Sequence, residues 1–392
     1  MKKVLLLCTS HNDLGLIRGL RKLNLYIIAT GNRKGSPGEH LVDKWIPLDY
    51  SDKEKILELS KDENIDYICA CCNDFGVYTA AYVAEKLSLP GYDSYETTLI
   101  LHNKDKFKRL AKELGLISPL SRDFDDYDES YNYLISCDLP VIVKPVDCSA
   151  GNGIDIVDDF GRAKEVLDYA FYKSRTKRIV IEPYIKGSQH GFCSFLVNKK
   201  VVAFSSNNEY SILNPYRVEI DTFPSSNWND CKDILITQIE KIASYLDLKD
   251  GIFHLQYIFS NGKPYIIEVM RRTLGNMYHV LANELNNVDW EYYEARARCG
   301  MDCSSFPVNV SQNGYFAYKT VLANQNGMIK KISIPESLNS FIFKKFMILK
   351  EGEHISNYKS EPIGFLFLKF DSLEQMGEVL IQNYTNDLVE IY

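Results

Sequence analysis

A single charged residue lies inside a strongly apolar stretch of this sequence, and a glycine-rich turn follows it. The stretch is Pro140–Pro145, its charged residue is Lys144, and the turn contains Ser149, Gly151 and Gly153. A lysine on a buried strand is costly unless an anion meets it, and the N–H groups of a glycine-rich turn can approach phosphate oxygens closely. A lysine followed by such a turn indicates a polyphosphate site under a closing flap. A solvated hairpin turn beside a lysine that reaches water explains the same residues about as often. The turn is not a P-loop, because no Gly-Lys-Ser/Thr sequence ends it.

A second group of polar residues lies on a hairpin further along the chain. Gln256 and Glu268 are on strands that face each other, and Arg271 and Arg272 follow directly. Oxygen atoms on adjacent strands can together bind a hard cation such as Mg²⁺, which fills its other positions with water and phosphate oxygens. Arginines beside a carboxylate suit the charge of a transferring phosphoryl group. A surface ion pair at a hairpin end is the alternative, and it fits the hairpin taken by itself equally well.

The N-terminal elements that precede these residues alternate between strands and helices. The predicted strands are Val4–Cys8, Leu25–Ala29 and Tyr67–Ala70, and the predicted helices are Leu14–Leu23, Lys53–Leu59 and Val77–Leu87. This alternation predicts a parallel sheet with right-handed crossovers. His11, Asn12 and Asp13 follow the first strand, where such sheets bind ligands, but a plain turn with a helix cap is the favoured interpretation. No G-x-G-x-x-G follows that strand, which argues against a nicotinamide-dependent dehydrogenase.

The remaining chain predicts one further helix, several strands and two hairpins. These are a helix at Lys104–Leu114 that Gly115 ends, strands at Leu139–Val146 and Ile179–Glu182, a hairpin of Gly191–Val197 with Lys200–Ser205, and a hairpin of Ile252–Phe259 with Pro264–Glu268. From about residue 305 the pattern becomes β-rich, with a strand at Phe365–Phe370 and a short helix at Leu373–Leu380.

Composition places this chain among soluble globular proteins. The 392 residues include 45 Lys and Arg against 52 Asp and Glu, which gives a net charge of −7, and 45% of the residues are hydrophobic. Extensive disorder is therefore not expected, and a general nucleic-acid binder would show a basic balance. No apolar run approaches the ~20 residues that span a bilayer. Ten cysteines without zinc-finger spacing favour reduced thiols and a cytoplasmic location.

Taken together, the lysine, the flap, the hairpin and the arginines resemble the ATP-grasp superfamily, and within it the carboxylate–amine ligases and carbamoyl-phosphate-synthase-like members. The resemblance covers nearly the whole chain and implies a fold of mixed α/β and α+β class. It implies a parallel-sheet pre-ATP-grasp domain over residues 1–95, an ATP-grasp domain over 96–300 with its lid subdomain at 118–187, and a small β-rich α+β domain over 301–392.

The same resemblance assigns roles to individual residues. The implied ATP-binding residues are Lys104, Lys144, Ser149, Gly151, Gly153, Glu182, Tyr184, Ile185 and Gln189. Gln256 and Glu268 match the magnesium ligands, and Arg272 matches the arginine that contacts the transferring phosphate and acts in catalysis with Lys144. The implied cofactors are ATP and Mg²⁺.

Two positions depart from the family pattern. Gln189 replaces an acidic residue that grips the ribose hydroxyls, and an amide can still bind a hydroxyl group. Met270 replaces an asparagine that helps to hold a second magnesium ion, and a thioether is a poor ligand for Mg²⁺. The expectation is weakened ribose recognition and a second metal ion held mainly by ATP phosphates.

The resemblance implies a ligase that converts a substrate carboxylate into an acyl phosphate, releases ADP and joins the acyl group to an amine. The first expectation is an amino-acid or dipeptide ligase, with Arg271, Asn276, Arg217 and Glu209 lining the acceptor site. Two alternatives stay open: a ligase for a smaller acid in nucleotide or cell-surface sugar biosynthesis, and a non-catalytic or regulatory ATP-binding protein. The expected partners are small molecules, with no nucleic acid and no membrane, and the chain is expected to form a homodimer.

Overall fold

The computed structural model describes residues 1–148, 151–214, 217–308, 311–383 and 388–392. Its N-terminal unit is a four-stranded parallel sheet with helices packed on it. The strands are β1 (Lys3–Leu7), β2 (Tyr26–Gly31), β3 (Lys44–Pro47) and β4 (Tyr67–Ala70), and the helices are α1 (Leu14–Lys22), α2 (Lys53–Asp62) and α3 (Asp74–Leu87). The predicted parallel sheet is confirmed, with the spatial order β3-β2-β1-β4.

Burial explains which strands of this sheet could be predicted. Val4–Leu7 of β1 is fully buried, as expected for a strand covered on both faces. Strand β3 was not predicted, because it lies at the sheet edge and its four residues are exposed or half-buried. An edge strand of this kind carries no continuous apolar run that would distinguish it from a loop.

A second four-stranded sheet follows two helices that connect it to the N-terminal unit. The helices are α4 (Tyr95–His102) and α5 (Lys104–Glu113); the strands are β5 (Arg122–Phe124), β6 (Val141–Pro145), β7 (Asp155–Val157) and β8 (Ile179–Pro183); and α6 (Tyr127–Leu134) and α7 (Ala163–Lys173) pack on them. The order is β5-β8-β6-β7, and all pairs are antiparallel. We call it the lid sheet, because it occupies the segment predicted to form the lid.

An eight-stranded antiparallel sheet forms the largest layer of the molecule. In its spatial order the strands are β13 (Lys263–Met270), β12 (Gly251–Ser260), β9 (Ser188–Val197), β10 (Lys200–Tyr210), β11 (Ile220–Phe223), β14 (Tyr315–Val321), β18 (Gly364–Phe370) and β16 (Ile342–Met347). Helices α8 (Trp228–Tyr245), α9 (His279–Asn286) and α10 (Trp290–Arg298) belong to the same part of the chain. Three strands from beyond residue 300 thus continue the sheet that the preceding segment begins, so the proposed boundary at residue 301 crosses a shared sheet.

The two hairpins predicted from turn residues are confirmed. Asn198 and Lys199 have φ values of 50° and 65°, and Asn261 and Gly262 have φ values of 49° and 73°. Positive φ at both central residues is the geometry of the tight turn that matches the twist of paired strands. The second hairpin sets Gln256 opposite Glu268.

The C-terminal segment adds a smaller three-stranded sheet. Its strands are β15 (Gly327–Ile332), β17 (His354–Ile355) and β19 (Val389–Ile391). Helix α12 (Leu373–Asn383) packs against α11 (Glu336–Asn339) and against β14 and β18 of the eight-stranded sheet. The predicted strand at 365–370 and the helix from 373 are confirmed. Within the described residues, no helix combines the length and apolar character needed to cross a bilayer.

The N-terminal unit is joined to the rest of the molecule by close packing. Gly15 and Gly19 of α1 lie against α10, where an added Cβ would fall 2.2 Å from Glu291 Oε1 and 2.7 Å from the Glu291 carbonyl oxygen. Only glycine allows this approach. The Asn12 side chain also accepts a hydrogen bond from the backbone N–H of Met277 at 3.0 Å.

The residues after β1 form the turn that the sequence favoured. Asp13 is buried and accepts hydrogen bonds from Ser10 and from the backbone N–H of Cys72. The His11 ring lies 5.4 Å from the ring of Phe365 and 6.0 Å from that of Phe346, so it packs on the C-terminal segment.

Replacing His11 with phenylalanine should make the stability of the protein less sensitive to acid. Burial lowers the pKa of His11 to about 4, so the unfolded chain binds this proton more tightly than the folded chain. Stability therefore falls as the pH drops from the ordinary histidine pKa towards 4. Between pH 7 and pH 5, urea unfolding should show wild type losing roughly 2 kcal/mol more than His11→Phe. Equal losses would mean that His11 is not held neutral in the folded state.

Candidate functional site

A cavity of about 890 Å³ lies where the N-terminal unit, the lid sheet and the eight-stranded sheet meet. Its volume is at the upper end of the ~300–1,000 Å³ typical of small-molecule sites, so a nucleotide would leave room for a second substrate. Twelve of the predicted site residues line it: Lys104, Lys144, Gly151, Glu182, Tyr184, Ile185, Gln189, Arg217, Gln256, Glu268, Arg272 and Asn276.

A buried carboxylate holds one lysine that borders the cavity and a second that does not border it. Glu182 on β8 is 1% exposed, and its Oε2 accepts a hydrogen bond from Lys144 Nζ on β6 at 2.8 Å. Lys108 Nζ lies 3.4 Å from Glu182 Oε1 and donates to Ser118 Oγ at 2.9 Å. Burial acts to raise the pKa of Glu182, but the charges of both lysines outweigh it and lower the pKa. The ammonium group of Lys144 is thereby fixed before any ligand enters.

Lys108 was missed by the sequence analysis. It lies four residues after Lys104 on α5, and residues at this spacing share one helix face. Desolvation lowers the pKa of Lys108 to about 8, despite the opposing charge of Glu182. The spacing from Lys104, combined with a buried glutamate on a nearby strand, is the signal that could have identified it.

Lys104, the first residue of α5, contacts two other parts of the site. Its Nζ donates to the backbone carbonyl of Cys148 at 2.7 Å, just before the flap. The same nitrogen lies 3.8 Å from Glu268 Oε2, and the Lys104 side chain is 12% exposed. Its ammonium group therefore reaches both the flap and the predicted metal ligand.

The flap glycines have different structural roles. Gly151 borders the cavity, with φ of 73°. Gly153 does not border it; an added Cβ would fall 2.5 Å from Pro145 Cγ and 2.8 Å from Lys173 Cβ. Gly153 therefore packs closely against β6 and α7, and its contact with ATP stays a prediction. Ser149 lies outside the described residues.

The predicted adenine hinge follows directly after β8. The Tyr184 N–H donates to the Pro140 carbonyl at 3.0 Å, so its carbonyl group is the backbone atom available to a base. Tyr184 and Ile185 border the cavity, as does Gln189 at the start of β9.

Glu209 joins two of the predicted binding residues without bordering the cavity itself. Its Oε2 accepts hydrogen bonds from Gln189 Nε2 at 2.7 Å and from Gln256 Nε2 at 2.8 Å. Burial raises the pKa of Glu209 to about 7, although both amides act to lower it. Glu209 thus orients two amides that border the cavity, and its place in the acceptor site stays a prediction.

The residues at the predicted magnesium site suit that ion. The Gln256 amide nitrogen is committed to Glu209, so its oxygen is the atom presented beside Glu268. Among the residues with described positions, no group of three His, Cys, Asp or Glu side chains could hold a metal ion. Two oxygen ligands fit Mg²⁺, which takes its other ligands from phosphates and water. Met270 borders the cavity beside them and offers only a thioether.

The two adjacent arginines point to different places. Arg272 borders the cavity and forms an ion pair with Asp74 at 2.7 Å. Arg271 is 3% exposed; it pairs with Asp93 at 3.0 Å and donates to the carbonyl of Ile252 at 2.6 Å. The expectation that Arg271 lines the acceptor site is corrected, because its guanidinium is buried against Asp93 and the Ile252 carbonyl and does not border the cavity.

The far end of the cavity is formed partly by the C-terminal segment. Arg217 and Asn276 border it together with Lys359 and Ser360. Arg217 donates to the Lys359 carbonyl at 3.3 Å, and burial lowers the pKa of its guanidinium. These groups lie where an acceptor molecule could be bound beyond the phosphates.

Removing Lys108 should destabilise the fold far more than removing a surface lysine of the same helix. At pH 7 Lys108→Met leaves the buried Glu182 with one cation instead of two, which should lower the unfolding free energy by about 2–4 kcal/mol. Lys106, which pairs with the exposed Glu96, is the matched control, and Lys106→Met should cost less than about 1 kcal/mol. Denaturant unfolding measures both, and equal costs would contradict a structural role for the buried pair.

Comparison with known proteins shows which families and structures this chain is similar to. Residues 102–215 match the family model of the ATP-grasp (A) domain of phosphoribosylglycinamide synthetase. Phosphoribosylamine–glycine ligase of Clostridium acetobutylicum is 25% identical over 227 residues, covering 49% of this chain and 54% of that protein. The L-amino acid ligase of Bacillus licheniformis has a TM-score of 0.82 at 19% identity, covering 100% of this chain and 98% of that one. Phosphoribosylglycinamide synthetase of Anaerococcus prevotii has a TM-score of 0.79 at 20% identity over 100% of both chains.

The chain spans about half the length of the curated relatives that it matches. At these identities the structural likeness establishes the fold, and the family match places an ATP-grasp domain within it. The resemblance drawn from the lysines, the flap and the hairpin is confirmed. This chain therefore has the ATP-grasp fold, and its residues 102–215 match an ATP-grasp domain.

Proposed function

We propose that this protein is an ATP-dependent ligase that activates a substrate carboxylate as an acyl phosphate and joins it to an amine. The observation that carries the proposal is that Lys104, Lys144 and Arg272 border one cavity with Gln256 and Glu268. Three cations and two oxygen ligands around one volume suit a bound polyphosphate and its metal ion.

The reaction would proceed in two displacements. A carboxylate oxygen attacks the γ-phosphorus of ATP, the bond to the β–γ bridging oxygen breaks, and ADP leaves. The amine nitrogen then attacks the acyl carbon, phosphate leaves and the nitrogen loses a proton. Because an acyl phosphate hydrolyses readily, a closed flap that excludes water protects it between the two steps.

The side chains of this protein would act mainly by position and charge. Lys104 and Lys144 hold phosphate oxygens, and Arg272 stabilises charge on the transferring group. Mg²⁺, held by the Gln256 amide oxygen and Glu268, would neutralise phosphate charge. The hinge at Tyr184–Ile185 would receive adenine.

Amino acids or amino-acid-like compounds are the proposed substrates. The similarity of the whole fold to an L-amino acid ligase supports this class. The match to a phosphoribosylamine–glycine ligase supports the alternative of a small acid in nucleotide biosynthesis. The proposal also includes small-molecule partners, a homodimer and a cytoplasmic location. The ten free cysteines support the cytoplasmic location.

A second candidate function is non-catalytic or regulatory ATP binding. Gln189 and Met270, which depart from the family pattern, favour it. The two functions differ in ADP release from ATP and Mg²⁺ with pooled amino acids. Release that depends on an acid and an amine supports the ligase; nucleotide binding without such release supports the regulatory function.

Lys144→Met and Glu268→Ala should each abolish ATP turnover in a protein that still folds. Lys144→Met also leaves Glu182 with one cation instead of two, so it should lower stability as Lys108→Met does without unfolding the protein at the assay temperature. The first change removes a phosphate-binding cation and the second a metal ligand, so we expect losses of at least about 100-fold in kcat. Lys164→Ala, an exposed lysine on α7 outside the cavity, should retain activity. Turnover is measured as ADP release, with thermal melting as the check of folding. Normal turnover in either site variant would refute the assignment.

Met270→Asn should lower the magnesium concentration needed for half-maximal activity, or raise kcat. An amide oxygen can coordinate Mg²⁺, whereas the thioether is a soft and poor ligand. Activity is titrated against Mg²⁺ at fixed ATP, with Met270→Leu as the control of similar size. An identical magnesium dependence in all three proteins would show that position 270 does not limit metal binding.

A further inference from the structure

The guanidinium of Arg272 is held by a carboxylate that belongs to the N-terminal unit. Asp74 Oδ1 accepts a hydrogen bond from Arg272 Nε at 2.7 Å, and the two side chains are 25% and 12% exposed. Both residues border the cavity. The residues are 198 positions apart in the chain, so this contact connects the first residue of α3 with the segment after β13.

The same carboxylate oxygen belongs to a closed set of hydrogen bonds. His102 Nδ1 lies 3.2 Å from Asp74 Oδ1, and His102 Nε2 accepts the backbone N–H of Arg271 at 3.2 Å. Since Nε2 accepts, Nδ1 carries the proton and donates to Asp74. The His102 side chain is 1% exposed. The backbone at Arg271 and the guanidinium at Arg272 are therefore both tied to Asp74.

Other contacts limit how the Arg272 guanidinium can turn. Its Nη1 donates to the Thr273 carbonyl at 3.0 Å and lies 3.6 Å from Cys72 Sγ. Within the described part of the chain, its Nη2 has no hydrogen-bond partner. Because the guanidinium is planar and its donors form a rigid fork, fixing Nε and Nη1 fixes the direction of Nη2.

Asp74 itself is firmly placed and ionised. It begins α3, where the Asn73 side chain accepts the N–H of Phe75 at 2.9 Å, and a negative charge is favourable at a helix start. Burial acts to raise the pKa of Asp74, but Arg272 and His102 outweigh it and lower the pKa. A negative charge beside a polyphosphate site opposes nucleotide binding, so binding alone does not account for its presence here.

We propose that Asp74 is a positioning residue for the ligase reaction, which holds the guanidinium of Arg272 so that its remaining N–H donors meet the transferring phosphoryl group. The proposal rests on the proposed function and makes the N-terminal unit part of the catalytic machinery. A positioning role predicts a loss of kcat without a loss of nucleotide affinity, because the fixed geometry matters most in the transition state.

The test compares Asp74→Asn with wild type in ADP-release kinetics and in calorimetric binding of MgADP. The variant should lose at least about 10-fold in kcat, while its MgADP affinity stays the same or increases, since a negative charge has been removed. Asp74→Glu, which keeps the charge, should recover part of the rate. In the Arg272→Ala background, adding Asp74→Asn should change kcat by less than about twofold, because the two residues act as one unit.

Asp123→Asn is the matched control. Asp123 forms a similar half-buried pair with Arg178 at 2.6 Å in the lid sheet, away from the cavity, and its loss should leave kcat unchanged. An unchanged kcat in Asp74→Asn, or a parallel loss of kcat, MgADP affinity and melting temperature, would overturn the positioning role. Absence of turnover in wild type with every acid and amine would instead contradict the proposed function, and the inference with it.

Discussion

The pairing of each cation that borders the cavity with a carboxylate is the interaction on which this site depends. Lys104, Lys144 and Arg272 border one cavity, and like charges crowded into a partly desolvated volume repel one another. Glu268 lies beside Lys104, Glu182 holds Lys144 together with Lys108, and Asp74 holds Arg272. These carboxylates hold the cations in position in the protein alone. The net charge of −7 therefore describes the chain as a whole and conceals a local field that attracts a polyanion.

The fold supplies these charges from segments that are far apart in the sequence. Lys104 and Lys108 lie on one helix, Lys144 and Glu182 on paired strands of the lid sheet, and Arg272 after the edge strand of the large sheet. That sheet continues through β14, β18 and β16, so the C-terminal segment reaches the far end of the cavity at Lys359. A rearrangement of any one layer would separate groups that the proposed reaction needs together.

Much of this arrangement could be predicted from the sequence, because continuous apolar runs and turn residues act locally. The Asn-Gly turn predicted the hairpin that pairs Gln256 with Glu268. The apolar strand around Lys144 indicated a buried cation. The site residues that were predicted wrongly or missed are ones whose positions are set largely by packing between distant segments. Arg271 and Arg272 are the same residue type. Because side chains alternate along a strand, Arg272 lies on the same face as Glu268 and Arg271 on the opposite face. Asp74 carries no local signal that identifies its partner, and Lys108 is indicated only by its spacing from Lys104 on one helix.

The central claim is that this cavity transfers the γ-phosphoryl group of ATP to a carboxylate. Trapping with hydroxylamine tests it most directly, because hydroxylamine replaces the unknown amine and only the acid needs to be varied. The protein, MgATP, hydroxylamine and single carboxylic acids, amino acids first, are incubated together, and hydroxamate and ADP are quantified. The account predicts that at least one acid gives hydroxamate and ADP in equal amounts, and that Lys144→Met gives neither. Tight MgATP binding without hydroxamate from any acid would contradict it.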